Sequence, residues 1–334
     1  MTLALRPPVC VAAVAALALA SSAFGALPGA FEPYRIPSAR ALPYGIAAGP
    51  AGEVWFTEFK ADKIGRISAN GRIREFQIPT AGSGPYGIVA GTGGSLWFTE
   101  FRADRIGRIT MSGKISEVSL STPSVGSLRP GPSGPFGIAA APDGSIWFTR
   151  PAANSIGEIT PGGTISEFTI PTANSGPAGI AVGAGGSVWF TEEDAGKIGR
   201  IAPNGTISEF SLRTAHSYPS VIAASRHGVM WFTESGAGKI GRITPTGRIS
   251  EFALRTPASG PGGIAVGPNG NLWFTELLAS RIGRITPTGK ITEFPLVAES
   301  RPRAITGSRG ALWFTEGLPN EIVRVQPRLL GRGG

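Results

Sequence analysis

The chain has one cysteine, two histidines and three methionines in 334 residues, so it has little of the chemistry that sulfur and imidazole supply. The cysteine, Cys10, lies in an N-terminal apolar segment; beyond that segment no thiol, disulfide or cysteine metal site can form. His216 and His227 have no third ligand type clustered with them, so no transition-metal site is expected and no cofactor is indicated by the residues themselves. Also absent are a phosphate-cradling glycine loop, a serine whose spacing singles out histidine and aspartate partners, and any sustained helical period. The formal charge of +9 is spread along the chain. With no basic block interleaved with aromatics, nucleic acid is not an expected partner. The fold must rest on packing alone, and the length is ample for a large core.

Residues 1–29 differ from the rest. Arg6 precedes "VCVAAVAALALASSAFGALPG", a short apolar run ending in small residues, which reads as a signal peptide with cleavage options after Ala23 or Gly25. The run is shorter than the roughly 20 residues of a spanning helix, so no lasting membrane anchor is expected. These features predict a secreted or periplasmic monomer with one domain over 30–327 and a basic, flexible tail over 328–334.

What the chain does have is repetition. All seven tryptophans stand in "WFT", at Trp55, Trp97, Trp147, Trp189, Trp231, Trp273 and Trp313, with spacings of 42, 50, 42, 42, 42 and 40. Each unit carries four short runs rich in Ile, Val, Phe and Trp, cut by turn signals, as in "GIAVG", "SVWFTE", "KIGRI" and "TISEFSL". Four antiparallel strands in about 40 residues is the size of a propeller blade. The last copy stops after "EIVRVQP" without a fourth strand, whereas "FEPYRIP" near the N-terminus aligns with "SEFQIPT", the fourth strand of the first copy. The expected fold is therefore an all-β, seven-bladed propeller whose ring is closed by the N-terminal strand completing the last blade, leaving no open sheet edge.

Two charged places recur eight residues apart: Glu58 with Arg66, Glu192 with Arg200, and likewise in the other copies. The third copy reverses them, to Arg150 and Glu158. A cation site built from a ring of glutamates would not require both places to change together. The exchange therefore suggests structural ion pairs across a hairpin, free to be turned around.

In a propeller, the loops entering the inner strands and those joining the two middle strands gather on one face. The places just before the inner strands read "LPYGIA", "GPYGIV", "GPFGIA", "GPAGIA", "YPSVIA", "GPGGIA" and "RPRAIT". Around this face Tyr44, Tyr86 and Phe136 form an aromatic sector, Ala178, Ser220 and Gly262 a small one, and Arg303 with Arg301 a basic one. The longest loop, "STPSVGSLRPGPSGPFG", would bring Arg129 over the channel as a lid, and His216 lies in a loop of the same face. These residues are the expected contacts for a small-molecule or polymer ligand; His227, in the opposite turn "SRHG", is expected to meet only water.

The phrases "GPYGI", "LWFTE", "IGRIT" and "YPSVIA", over residues 31 to 327, resemble the virginiamycin B lyase (streptogramin lyase) family. The resemblance implies a seven-bladed propeller. It also implies a magnesium-assisted elimination that opens the ester bond of a cyclic depsipeptide, with a histidine base and with a second histidine and glutamates holding the ion. Here the two histidine places hold Gly262 and Arg303 in one blade register, or Arg303 and Tyr44 in the other. The glutamate places hold Arg301 or Leu42, and Gly317 or Phe59; the substrate-side tyrosine has a counterpart in Tyr44 or Tyr86. Arginine is a poor base and cannot bind magnesium. Three readings follow: a ligand-binding propeller with the catalytic groups replaced, a lyase of the streptogramin type using magnesium, or a cell-surface scaffold for carbohydrate or protein.

Overall fold

The computed structural model describes residues 29–120 and 134–330. Each repeat forms a four-stranded antiparallel sheet in simple sequence order, and there are seven such sheets. In blade 1 the strands are Pro43–Ala48, Val54–Glu58, Lys63–Ile67 and Ile73–Gln77, running from the channel outward. Blade 7 contains Pro302–Ser308, Ala311–Glu316 and Glu321–Val325, and its outer strand is Phe31–Arg35, in register from Phe31 opposite Val325 to Arg35 opposite Glu321. The expected fold and its closure are thus both present. Past the boundary expected at 327, Pro327–Leu329 forms a 3-10 turn and Leu330 is buried with the last blade's core. Residues 1–28 and 331–334, on which the signal-peptide and most of the tail readings fall, lie outside the described residues.

The core lies between blades. Trp55, Ile64 and Phe76 of blade 1 pack with Ile88, Leu96 and Phe98 of blade 2, and each later pair repeats the pattern. Within a blade, Phe56 lies flat on Gly65, where a Cβ would fall 2.1 Å from the ring. That contact accounts for the glycine of "IGR" in five copies and of "IGE" in the third; the seventh, with Val323, takes the larger side chain at that place.

The threonine of "WFT" zips the blades together. Thr57 Oγ1 accepts the Gly45 N–H and donates to the Tyr86 carbonyl of the next blade, both at 2.8 Å. The same donation runs from Thr99 to Phe136, Thr149 to Ala178, Thr191 to Ser220, Thr233 to Gly262, Thr275 to Arg303 and Thr315 to Tyr44, which closes the circle. Every threonine in this ring is fully buried.

The register corrects the expected ion pairs. Glu58 stands opposite Lys63, and Arg66 opposite Trp55. Trp55 and Glu58 are three residues apart on one strand, so Glu58 and Arg66 point to opposite faces of the sheet. The same holds for Glu192 with Arg200, and for Arg150 with Glu158. The glutamates instead belong to triads of two acids and one cation. Lys63 Nζ lies 3.0 Å from Glu75 beside the buried Glu58, and Lys197 with Glu209 and Lys239 with Glu251 repeat this beside Glu192 and Glu234. In blade 3 the cation has moved one strand inward: Arg150 binds Glu167 and, at 3.2 Å, Asp104 of blade 2, while Ser155 occupies the lysine place. Blade 7 moves it outward, with Glu316 and Glu321 beside Arg35. The third copy's arginine is therefore explained by charge balance within its own triad and not by an inverted pair.

Two outcomes are expected from this architecture. Thr149→Val strands a buried N–H and a buried carbonyl and should cost roughly 2–4 kcal/mol in denaturant unfolding, with Thr149→Ser recovering most of it. Glu234→Arg alone puts two cations beside Glu251 and should lower stability by about 1–3 kcal/mol; adding Lys239→Ser recreates the blade 3 arrangement and should restore most of the loss.

Candidate functional site

The seven residues that follow the inner-strand proline all line one funnel of about 500 Å³ at the mouth of the channel: Tyr44, Tyr86, Phe136, Ala178, Ser220, Gly262 and Arg303. Their carbonyls are the ones held by the threonine ring, which fixes the backbone from which each side chain projects. The loops above are held by side chains too. Asp62 accepts from the Gly82 and Gly84 N–H groups at 2.8 and 2.9 Å, and Asn154 does the same for Ser175.

The lining is sharply one-sided. Tyr44 and Tyr86 have ring centroids 4.5 Å apart, and Tyr86 and Phe136 4.0 Å apart, making a continuous aromatic arc. Phe59 and Phe101, which follow "WFTE" in the first two blades, back the arc at 5.2 Å from Tyr44 and 5.9 Å from Phe136. At one end the Arg303 guanidinium lies 4.1 Å from the Tyr44 ring centre, with its Nε–H buried and without an acceptor among the described residues. The far wall is small and apolar, with Leu277 and the 68 % exposed Leu278 at its edge. Burial pushes the Tyr86 hydroxyl well above the usual phenol range, with Tyr44 and Glu193 adding to the shift and Arg303 opposing it. The hydroxyl therefore stays protonated.

Other expected contacts fall elsewhere. His216 is exposed outside the funnel, 6.2 Å from Tyr218, and Arg301 is exposed outside the lining. Arg301, Tyr218 and Leu42 share a left-handed backbone place, with φ of 46°, 46° and 53°, where glycine stands in other blades. His227 sits at φ 62° in the turn on the opposite face. Arg129 lies outside the described residues. The residues that spacing did not single out are Phe59, Phe101 and Leu277, all directly after the "WFTE" element. Their variation between copies, from Phe to Pro, Glu, Ser, Leu and Gly, was the available signal.

Beneath the loops lies the ring of buried carboxyls. Burial, and then the neighbouring Glu209, push Glu192 up to about 8, and Glu58, Glu100, Glu234 and Glu316 reach a similar value. Burial also acts on Glu209, yet hydrogen bonds from Thr172 and the nearby Lys197 hold it below the usual range. One acid of the pair is thus neutral and the other ionised, which lets two carboxyls share one lysine.

The virginiamycin B lyase family model matches residues 25–128 and 124–329. This chain belongs to that family. A streptogramin B lyase structure is 38% identical with a TM-score of 0.82, over 88% of this chain and 96% of that one. Virginiamycin B lyase from Staphylococcus aureus is 37% identical with the same score, over 88% of this chain and 98% of that one. A catalytically inactive histidine-to-alanine variant of the Staphylococcus aureus enzyme, with quinupristin, matches equally, at 37% identity and a TM-score of 0.82 over the same shares.

The neutral carboxyls give this member a pH signature. Glu192 titrates near 8 when folded against the ordinary 4.5, so the stability tied to its neutral form is complete below about 4.5 and is lost as pH rises toward 8. The thermal midpoint should fall between about pH 5 and 8, and Glu192→Gln should make that fall shallower.

Proposed function

We propose that this member of the virginiamycin B lyase family is an exported binding propeller whose funnel takes a ligand bearing an aromatic ring and an anionic group. Arg303 carries the reading. Its guanidinium rests on Tyr44 and keeps a buried Nε–H without an acceptor among the described residues, at a place where the family's elimination puts a histidine. A planar ligand would extend the Tyr44–Tyr86–Phe136 arc by stacking, and a carboxylate or similar anion would accept from Arg303.

The lining also bears on the family's chemistry. The inactive Staphylococcus aureus variant shows that a histidine matters in that enzyme. Here the lining contains no histidine and no carboxylate among the described residues. Magnesium needs oxygen ligands of high charge density, and a guanidinium at the same mouth repels it. The residues do not fit the ion, and no step is derived through it.

Titrating the mature protein with quinupristin in magnesium buffer tests the reading. Expected is retention of the intact depsipeptide or no product, with any binding weakened about tenfold or more by Arg303→Ala or Tyr86→Ala. Linearised product at enzymatic turnover, abolished by those substitutions, would establish the lyase instead. Salt-sensitive retention on cell-wall polymers, unaffected by changes in the funnel, would favour the surface scaffold.

A further inference from the structure

The second departure of blade 3, Glu158 in the arginine place, has its own structural consequence. In the six other blades that arginine lies over its blade's tryptophan, with the guanidinium carbon 5.3 to 5.8 Å from the ring centre: Arg66 on Trp55, Arg108 on Trp97, Arg200 on Trp189, Arg242 on Trp231, Arg284 on Trp273 and Arg324 on Trp313. Arg66, Arg200 and Arg242 also cross to the next blade and donate to a turn carbonyl 45 residues on, those of Met111, Pro245 and Pro287, at 2.9 to 3.0 Å. The arginine thus fills the cleft between blades on the face opposite the funnel.

Between blades 3 and 4 that plug is missing. A cleft of about 410 Å³ stands there, lined by Trp147, Phe168, Glu158, Asp143 and Pro203 among others, with two carboxylates and no basic side chain among the described residues. Pro203 is 45 residues after Glu158, so its carbonyl corresponds to the acceptors of the sister blades. Glu158 makes no ion pair among the described residues. Asp143 also belongs to this copy alone: the same turn place holds Ala51, Gly93, Gly185, His227, Asn269 and Arg309 in the others. Trp147 meets Phe168 at a tilt, with ring centroids 5.3 Å apart, and is partly exposed where five of its six counterparts are buried.

We propose that this cleft is a binding site for a guanidinium group brought by another molecule, with Trp147 as its floor, Glu158 as its counter-ion and the Pro203 carbonyl as a second acceptor. Six copies of the same cleft demonstrate the fit, since each is occupied by the chain's own guanidinium. In blade 3 the acceptors and the aromatic surface remain while the internal donor has been replaced by an acid. A guanidinium suits the gap better than an ammonium, because its planar fork stacks on the indole while donating at its edges. The ligand class is an arginine side chain on a peptide, or a small guanidino compound.

Isothermal titration with Nα-acetyl-arginine amide, the matching lysine and citrulline amides and the tripeptide Gly-Arg-Gly tests this. The arginine amide should bind saturably, the uncharged citrulline about tenfold or more weakly, and lysine between them. Glu158→Gln should weaken arginine binding about as much as the change to citrulline does. Glu158→Arg should abolish binding and raise the thermal midpoint, because it restores the sister-blade plug; Arg303→Ala, in the funnel, should leave it unchanged. Tighter binding of the tripeptide than of the amide assigns the source to polypeptide, and equal binding to a small molecule. Absence of arginine binding to the unaltered protein, equal binding of citrulline, or binding that persists in Glu158→Arg overturns the proposal.

Discussion

One hydroxyl per blade holds this propeller in a ring. The inner strands approach so closely that a Cβ on Gly45 would lie 2.4 Å from the Tyr86 carbonyl of the next blade. At that distance the two backbones cannot meet through side chains, and the threonine of "WFT" bridges them by accepting from one and donating to the other. Buried backbone groups must be paired, and here the pairing is relayed through one side chain seven times around the channel. The residue whose carbonyl is held is also the residue whose side chain faces the funnel. Structural constancy and side-chain variability thus reside in one position, backbone for the first and side chain for the second.

The charged residues obey a second rule, repeated blade by blade, with Asp104 of blade 2 completing the triad of blade 3. A triad of two acids and one cation sits at the loop end of each sheet, and the cation can occupy any of three strands: the third in most blades, the second as Arg150, the outermost as Arg35. Conserving the sum while permuting the places is what electrostatics in a buried site demands, because desolvation penalises unbalanced charge far more than it penalises rearrangement. Blade 3 combines two unrelated events. Arg150 is the permuted cation of its triad, whereas Glu158 lies on the other face of the sheet and removes the plug between blades.

The funnel and the cleft arise by opposite means. The funnel departs from sevenfold symmetry by adding groups, three aromatic rings on one side and a guanidinium at their end. The cleft departs from it by subtraction, since its shape is the space an arginine fills in the sister blades. A repeat protein supplies its own controls, and at the cleft a single altered copy stands out against six that keep the arginine on the tryptophan.

The architecture was legible from the chain alone. Seven tryptophans at near-constant spacing, four short apolar runs per copy and a missing last strand matched by an N-terminal one leave few alternatives, because short periodic strands must pair with their neighbours in chain order. The chain also marked Tyr44, Tyr86, Phe136 and Arg303, since variation within a repeat concentrates where the fold does not need sameness. Pairings between side chains emerged only from strand register and blade packing. The constant spacing of eight between Glu58 and Arg66 resembles a cross-strand pair, yet the register sets Glu58 against Lys63 and turns Arg66 to the other face, a difference of three residues that spacing alone does not reveal. Phe59 and Phe101 joined the aromatic arc for the same reason, as did Trp147 and Pro203 in the cleft: their meeting depends on how one blade is set against the next, which is fixed by packing between sheets and not by order along the chain.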